Sequence, residues 1–397
     1  MALRRDGDRY LMYTGHLWHR GWSVLDVTQP RSPVVLRFIE GPENTWTGQV
    51  DASEDYLLTG LEEIPTGWGG DSERPYKAGV LLWSLADPAE PRLLQEYYVD
   101  GKGTHRNLID NQGRAHLSIN LAGKSGRCYQ VLDFASGKAP DLLGTFEIAE
   151  QKEERLKDES ISLHGPPIPD NDLVYLSYGG AGVVIAAYSQ TDGFTEIGRL
   201  TFSPPFVSHI GVHSVLPLEG GGLLLACSEA IQEDCLEPLG HVSLIDASDP
   251  RHPYLVSVFP VPQPSGLEGY ANYCEKGGRF GPHNLHMHQH NLGAAEIGSE
   301  VYATYFNAGL RVFNIRDPRS PREEAFFVPP DPKRRYGTHP VSRLVAQSED
   351  VIVDDRGYIF VSHKNQGIWC LERDPDLGLY TDSLPQGDDS ANSGTDK

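Results

Sequence analysis

Fifteen histidines are spread over the 397 residues, and four of them recur in a pattern that chemistry can use. His105 in Thr104-His105-Arg106, His164 in Leu163-His164-Gly165, His213 in Gly211-Val212-His213 and His283 in Gly281-Pro282-His283-Asn284 each stand where an apolar run begins. The matching position of the next unit reads Ser348-Glu349-Asp350. Four neutral imidazoles brought to one point suit a first-row divalent metal such as iron, manganese or zinc. Carboxylates behind such a set hold the outer ring N–H and fix the tautomer, a part open to Glu349 and Glu229. A lone histidine beside a strand is ordinarily a hydrogen-bonded structural residue; four at one address in consecutive units weigh against coincidence.

Further polar side chains fall in a second set of loops: His16, His19, Glu62, Glu63, Lys124, Tyr178, Glu229, Asn307, His363 and Lys364. Of these, Glu229, Tyr178 and Lys364, with Glu349, are the candidates for acid, base or cationic roles. Surface loops are polar in any protein, so each taken singly is more ordinary than catalytic. In the run from His283 to His290, strand alternation turns His286, His288 and His290 away from His283, which alone matches the repeated address. No P-loop, dinucleotide fingerprint, nucleophile elbow or H-E-x-x-H occurs.

The elements that position these residues come from a repeat. Seven segments begin with glycine, at Gly21, Gly79, Gly126, Gly182, Gly240, Gly309 and Gly367, and most run through an apolar strand into D-P-x-x-P. Alternation such as Val24, Leu25, Val27 reads as a half-buried strand, and Asp-Pro then presets a turn. A further apolar run follows each turn (Val34–Phe38, Leu93–Tyr98, Tyr254–Phe259). Another precedes each glycine (Tyr56–Thr59, Leu173–Tyr178, Gly222–Cys227, Val301–Phe306, Tyr358–Val361), after an earlier, more polar strand. Four strands in about fifty-eight residues is the period of a propeller blade. The fold expected is all-β: a seven-bladed β-propeller of four-stranded antiparallel blades, residues 1–383, followed by a disordered polar tail, 384–397. Blade one reads as lacking its first strand, with Tyr10–Thr14 as strand two and Leu377–Tyr380 available to close the ring. The charged run Ile148–Glu159 reads as a short surface helix.

These repeats, with GTHRN, SLHGPP, FGPHN, TYFNAGLRVFNIRDP and AQSEDVIVDDRGYIFV, resemble the LVIVD-repeat propellers of bacteria over nearly the whole chain. That resemblance implies a fold and carries no agreed activity. In architecture alone, four histidines on a propeller axis resemble the iron site of carotenoid-cleaving oxygenases; the motifs around these histidines do not match theirs, nor is their membrane-dipping apolar patch present. Propeller polysaccharide lyases are a second analogy, though basic subsites for acidic sugars fit poorly with this chain's charge.

A net charge of −21 argues against nucleic acid or an anionic membrane as partner. No run of 18 apolar residues exists and the N-terminal stretch lacks a signal-peptide core. Five cysteines outside C-x-x-C pairs point to free thiols in a reducing cytoplasm, a Cys235–Cys274 bridge being the alternative. The function expected is a metal-dependent enzyme, first a non-haem iron oxidoreductase or oxygenase acting on a small organic substrate. A metal-dependent lyase or hydrolase on the same site is one alternative, a non-catalytic propeller that binds a protein or ligand another.

Overall fold

The glycine that opens four of the repeats has a common steric cause. At Gly21, Gly79, Gly182 and Gly309 φ is positive, between 81° and 138°. A Cβ added there would lie 1.9 to 2.2 Å from a carbonyl oxygen of the neighbouring outer strand (Ile39, Tyr97, Leu200 and Phe327 respectively). Only glycine allows both the backbone angle and the approach. The Asp-Pro turns that follow are closed by the aspartate side chain: Asp87, Asp249 and Asp317 each accept the N–H two residues on, from Ala89, Arg251 and Arg319, at 3.0–3.1 Å.

The protein is described from a computed structural model, covering residues 1–374 except 138, 153–160, 203–209, 267–268, 288, 291–292 and 337–342. It is all-β, with multiple four-stranded antiparallel sheets in which spatial order follows chain order. One sheet joins Ala2–Asp6, Arg9–Gly15, Gly21–Asp26 and Val34–Glu40. Others run Ile168–Asp170 to Gly193–Leu200 and Ile210–Pro217 to Tyr254–Val258. A nine-stranded assembly holds two such units, Thr45 to Tyr98 and Gly103 to Phe146, joined by the single pairing of Gly103 with Glu62. The last two sheets are three-stranded, Glu300–Phe327 and Ser348–Leu371. In the first of these, Leu285 bridges Ala303, and the N–H groups of His283 and His286 donate to Thr304 and Tyr302, so residues 283–286 stand in the innermost position.

The repeat also shows in its irregularities. Six of the strand units shift register at the equivalent point between their last two strands, from Val24/Leu25 through Val312/Phe313. Such bulges bend an outer strand and increase its twist. Apolar faces of neighbouring sheets pack into the core, for example Leu11, Tyr13 and Trp22 against Leu57, Leu81 and Trp83.

Two expectations are corrected. The first sheet has its innermost strand: Ala2 and Leu3 are fully buried, and Gly7, at φ 60°, allows the tight turn into Arg9–Gly15. Cys235 and Cys274 are disulfide-bonded, because the fold brings Cα atoms 39 residues apart in sequence to 5.5 Å, while Cys128, Cys227 and Cys370 are free. Of the charged run, Ala149–Lys152 is helical, Ile148 is buried outside the helix, and residues 153–159 lie outside the described residues, as do Leu377–Tyr380 and the tail.

Candidate metal centre

Two of the four histidines, and Glu349, are positioned by disruptions of the innermost strands. Pairing of Gly103–Ile109 with its neighbour slips between Thr104 and Asn107, which lifts His105 and Arg106 out of register. A slip between Ile210 and Ser214 does the same for His213, and one between Ser348 and Asp350 for Glu349. His164 precedes its strand and is tied by its N–H to Ser177 O at 3.0 Å; there a Cβ on Gly165 would meet His213 O at 2.3 Å, so close packing of the two loops requires glycine. Bulges of this kind re-aim side chains, and here they aim them at one place.

Ring centroids of His105, His164, His213 and His283 follow one another at 4.4, 4.5 and 4.8 Å. Glu229 lies at their centre. Its Oε2 is 3.4 Å from His164 Nε2 and 3.6 Å from His213 Nε2, and its Oε1 is 3.5 Å from His283 Nε2. One ligand atom each from His164, His213 and Glu229 falls within a 4.8 Å span, all three residues buried.

A second layer holds this set. The His105 Nδ1–H donates to Glu62 Oε2 at 2.6 Å, and Glu62 Oε1 accepts from Arg127 at 2.6 Å. His213 Nδ1 contacts Ser214 Oγ at 2.8 Å, and its Nε2 has no hydrogen-bond partner among the described residues. Arg279 donates to Glu229 at 3.0 Å and to Glu349 at 3.2 Å, while its guanidinium lies 3.7 Å above the Phe306 ring, which also stacks on His283. Lys364 Nζ is 3.3 Å from Glu349 Oε1 and 4.5 Å above the Trp68 ring. Glu349 Oε2 reaches His283 Nδ1 at 3.4 Å.

Burial lowers the pKa of all four imidazoles from the usual 6.5, so the neutral, metal-binding form predominates near neutrality. Burial works against the charges of Glu62, Glu229 and Glu349 as well. It is outweighed by His105 and Arg127 at Glu62, by His283, His213 and Arg279 at Glu229, and by Lys364 and Arg279 at Glu349, and each carboxyl is held at about 2. Lys364 is brought down to about 8 by burial, with Arg279 adding to the effect.

The four histidines, the three carboxylates, Arg127, Arg279 and Lys364 line one cavity of about 1700 Å³, whose wall also carries His16, His19, Trp18, Trp46 and Trp68. No family model and no curated protein sequence matches the chain. Among solved structures it is similar to a protein from Lactobacillus plantarum (12% identity, TM-score 0.62, 94% of each chain covered). It is also similar to a periplasmic gluconolactonase of Pseudomonas aeruginosa (13%, TM-score 0.59, 94% of this chain and 93% of the other). A hypothetical selenium-binding protein from Sulfolobus tokodaii gives 13% and TM-score 0.56, over 93% and 89%. These neighbours are β-propeller proteins, and at such identities the likeness shows the fold alone.

The structure brings His105, His164, His213 and His283 together with Glu229, Glu349 and Lys364. Tyr178 is placed elsewhere. It is fully buried, packs against Phe146 and donates its hydroxyl to Phe146 O at 3.3 Å, and burial raises its pKa well above the usual 10, so it acts as a core residue. Glu229 is more central than an outer support: it faces the Nε2 atoms, and the support of His105 falls to Glu62. The sequence did hold a sign of this, since Glu62 and Glu229 both sit at the cavity end of the second strands, Tyr56–Glu63 and Leu223–Glu229. Arg279 was missed because no repeated position marks it. His286 is structural, its two ring nitrogens meeting Ala295 O and Val353 N; His288 lies outside the described residues.

Proposed function

We propose that the chain is a seven-bladed propeller of the LVIVD-repeat kind, a single domain over 1–383, and a metal-dependent enzyme. One divalent metal is held by His164, His213 and Glu229, with His283 and His105 completing the set. The observation that carries this is the convergence of three Nε2 atoms on one buried carboxylate, with His213 Nε2 left without a hydrogen bond. A buried imidazole nitrogen with no partner is unfavourable, and a metal satisfies it. The donor set of imidazoles plus one carboxylate fits iron first, with manganese and zinc as alternatives.

When bound, such a metal supplies Lewis-acid or redox chemistry at the cavity floor. The chain's own residues do the rest. Glu62 and Ser214 fix ring orientations of His105 and His213, Arg279 keeps Glu229 and Glu349 ionised, and Lys364 Nζ is the proton-bearing group facing the substrate space. Oxygenase chemistry on a small organic molecule is the finer reading; lyase or hydrolase chemistry uses the same groups. Glu229 supplies a compensating negative charge, which brings the hydrolytic alternative level with the oxidative one. No helix is long and apolar enough to cross a membrane among the described residues. The Cys235–Cys274 bridge favours an oxidising compartment over the cytoplasm that free thiols suggested.

The test is cobalt substitution. Co²⁺ added to metal-stripped protein should give visible ligand-field bands that saturate at one equivalent and vanish in His213→Ala. Titration without saturable bands would remove the metal reading.

A further inference from the structure

The floor of the cavity carries more positive than negative side chains, in a protein that is strongly acidic as a whole. Glu62, Glu229 and Glu349 face Arg106, Arg127, Arg279 and Lys364. Arg127 and Arg279 are spent on those carboxylates, and Arg106 donates to the neutral Asn284 Oδ1. Asp350 feels Arg106 but pairs with the Met1 amino group at 2.5 Å, and these two charges together leave the balance unchanged. A divalent metal raises the excess from one positive charge to three. Buried charge of one sign is unfavourable unless compensated, and the open side of the cavity is where compensation can enter.

Directly above this floor the wall is aromatic. Trp68, on the short turn Thr66–Trp68, meets Trp46 at 5.3 Å and Trp18 at 6.1 Å, and its face covers the Lys364 ammonium at 4.5 Å. The Lys364 side chain is only 5% exposed, so its charge is held at the point where floor and wall meet.

We propose that the ligand of this site is an organic anion with a flat, aromatic body. Its acid group takes the place beside Lys364 and the metal, and its ring lies along Trp68 and Trp46. A charge-assisted hydrogen bond to the ammonium fixes the acid end, and ring packing supplies the apolar area. The inference rests on the metal reading for part of its charge excess, but Lys364 and the tryptophans are independent of it.

The test uses 2-naphthoate and its neutral isostere 2-naphthamide as probes. Binding is followed by quenching of tryptophan fluorescence and by calorimetry, on metal-loaded and metal-stripped protein. Naphthoate should bind at least tenfold more tightly than naphthamide, and Lys364→Met should remove most of that preference while metal content stays unchanged. Trp68→Leu, in the short turn Thr66–Trp68 that holds no fully buried residue, should weaken naphthoate severalfold and leave propionate unaffected, with circular dichroism matching the parent. Equal binding of the two probes, or an unchanged preference in Lys364→Met, overturns the proposal. Retained preference for naphthoate in a protein that takes up no metal would support the anion site and refute the metal reading.

Discussion

Arg279→Met isolates the electrostatic logic of the site. Arg279 is 6% exposed, its guanidinium bonds Glu229 at 3.0 Å and Glu349 at 3.2 Å and lies over Phe306; methionine keeps an apolar side chain of similar length and removes the charge. Two ionised carboxylates are then left in one buried place with Lys364 as the remaining ion-pair partner of Glu349. Breaking a buried pair by removing one member destabilises by about 3–5 kcal/mol. The pH dependence has a definite sign. In the parent protein Glu229 and Glu349 stand at about 2, below their usual 4.5, so their contribution is present above pH 4.5 and declines as pH falls towards 2. In the variant both carboxyls move upward, so acid neutralises the unpaired charge and the difference between the two proteins narrows. Urea unfolding of metal-stripped protein at pH 7 and pH 5 measures both. A deficit below about 1 kcal/mol at pH 7, or one that does not shrink at pH 5, would show that Arg279 is not what holds the carboxylates.

Other perturbations separate site from scaffold. Gly165→Ala forces a Cβ to within 2.3 Å of His213 O, so it should displace the His164 loop and lower metal affinity at least tenfold, measured by competition with a chromogenic chelator. Tyr178→Phe loses one long hydrogen bond to a carbonyl, about 1 kcal/mol, and should leave metal uptake unchanged in the same assay. Reducing the Cys235–Cys274 bond reopens a loop of 39 residues, worth up to about 4 kcal/mol in chain entropy; alkylation of unfolded protein should count three thiols without reductant and five with it. His363 is pushed down to about 4 by burial, so its unfolded form takes a proton first and stability falls as pH drops from 6.5 to 4, by about 3 kcal/mol in all. His363→Gln should flatten that part of the urea-midpoint profile.

What could be read in the chain was whatever repeats. Glycine, an alternating strand and Asp-Pro recur, and at Gly21, Gly79, Gly182 and Gly309 the same steric problem, a close carbonyl of the neighbouring strand, requires the glycine. The histidines were legible for the same reason, since each stands at one address in consecutive units. Features that occur once were not. Arg279 acts through a contact 50 residues away in sequence, to Glu229, and no periodicity announces it. Ala2–Asp6 was misread because ALRRD is polar at its end, although Ala2 and Leu3 are its buried half. Tyr178 shared a loop position with true cavity residues, and only packing against Phe146 shows that it faces inward.

The central claim is a metal on His164, His213 and Glu229, and elemental analysis of the purified protein tests it most directly. Plasma mass spectrometry should find one equivalent of iron, manganese or zinc, absent from a His164→Ala/Glu229→Gln variant whose circular dichroism matches the parent. No stoichiometric metal in the parent, as isolated and after reconstitution with each of the three, would contradict the account and leave a propeller whose buried histidines serve another end.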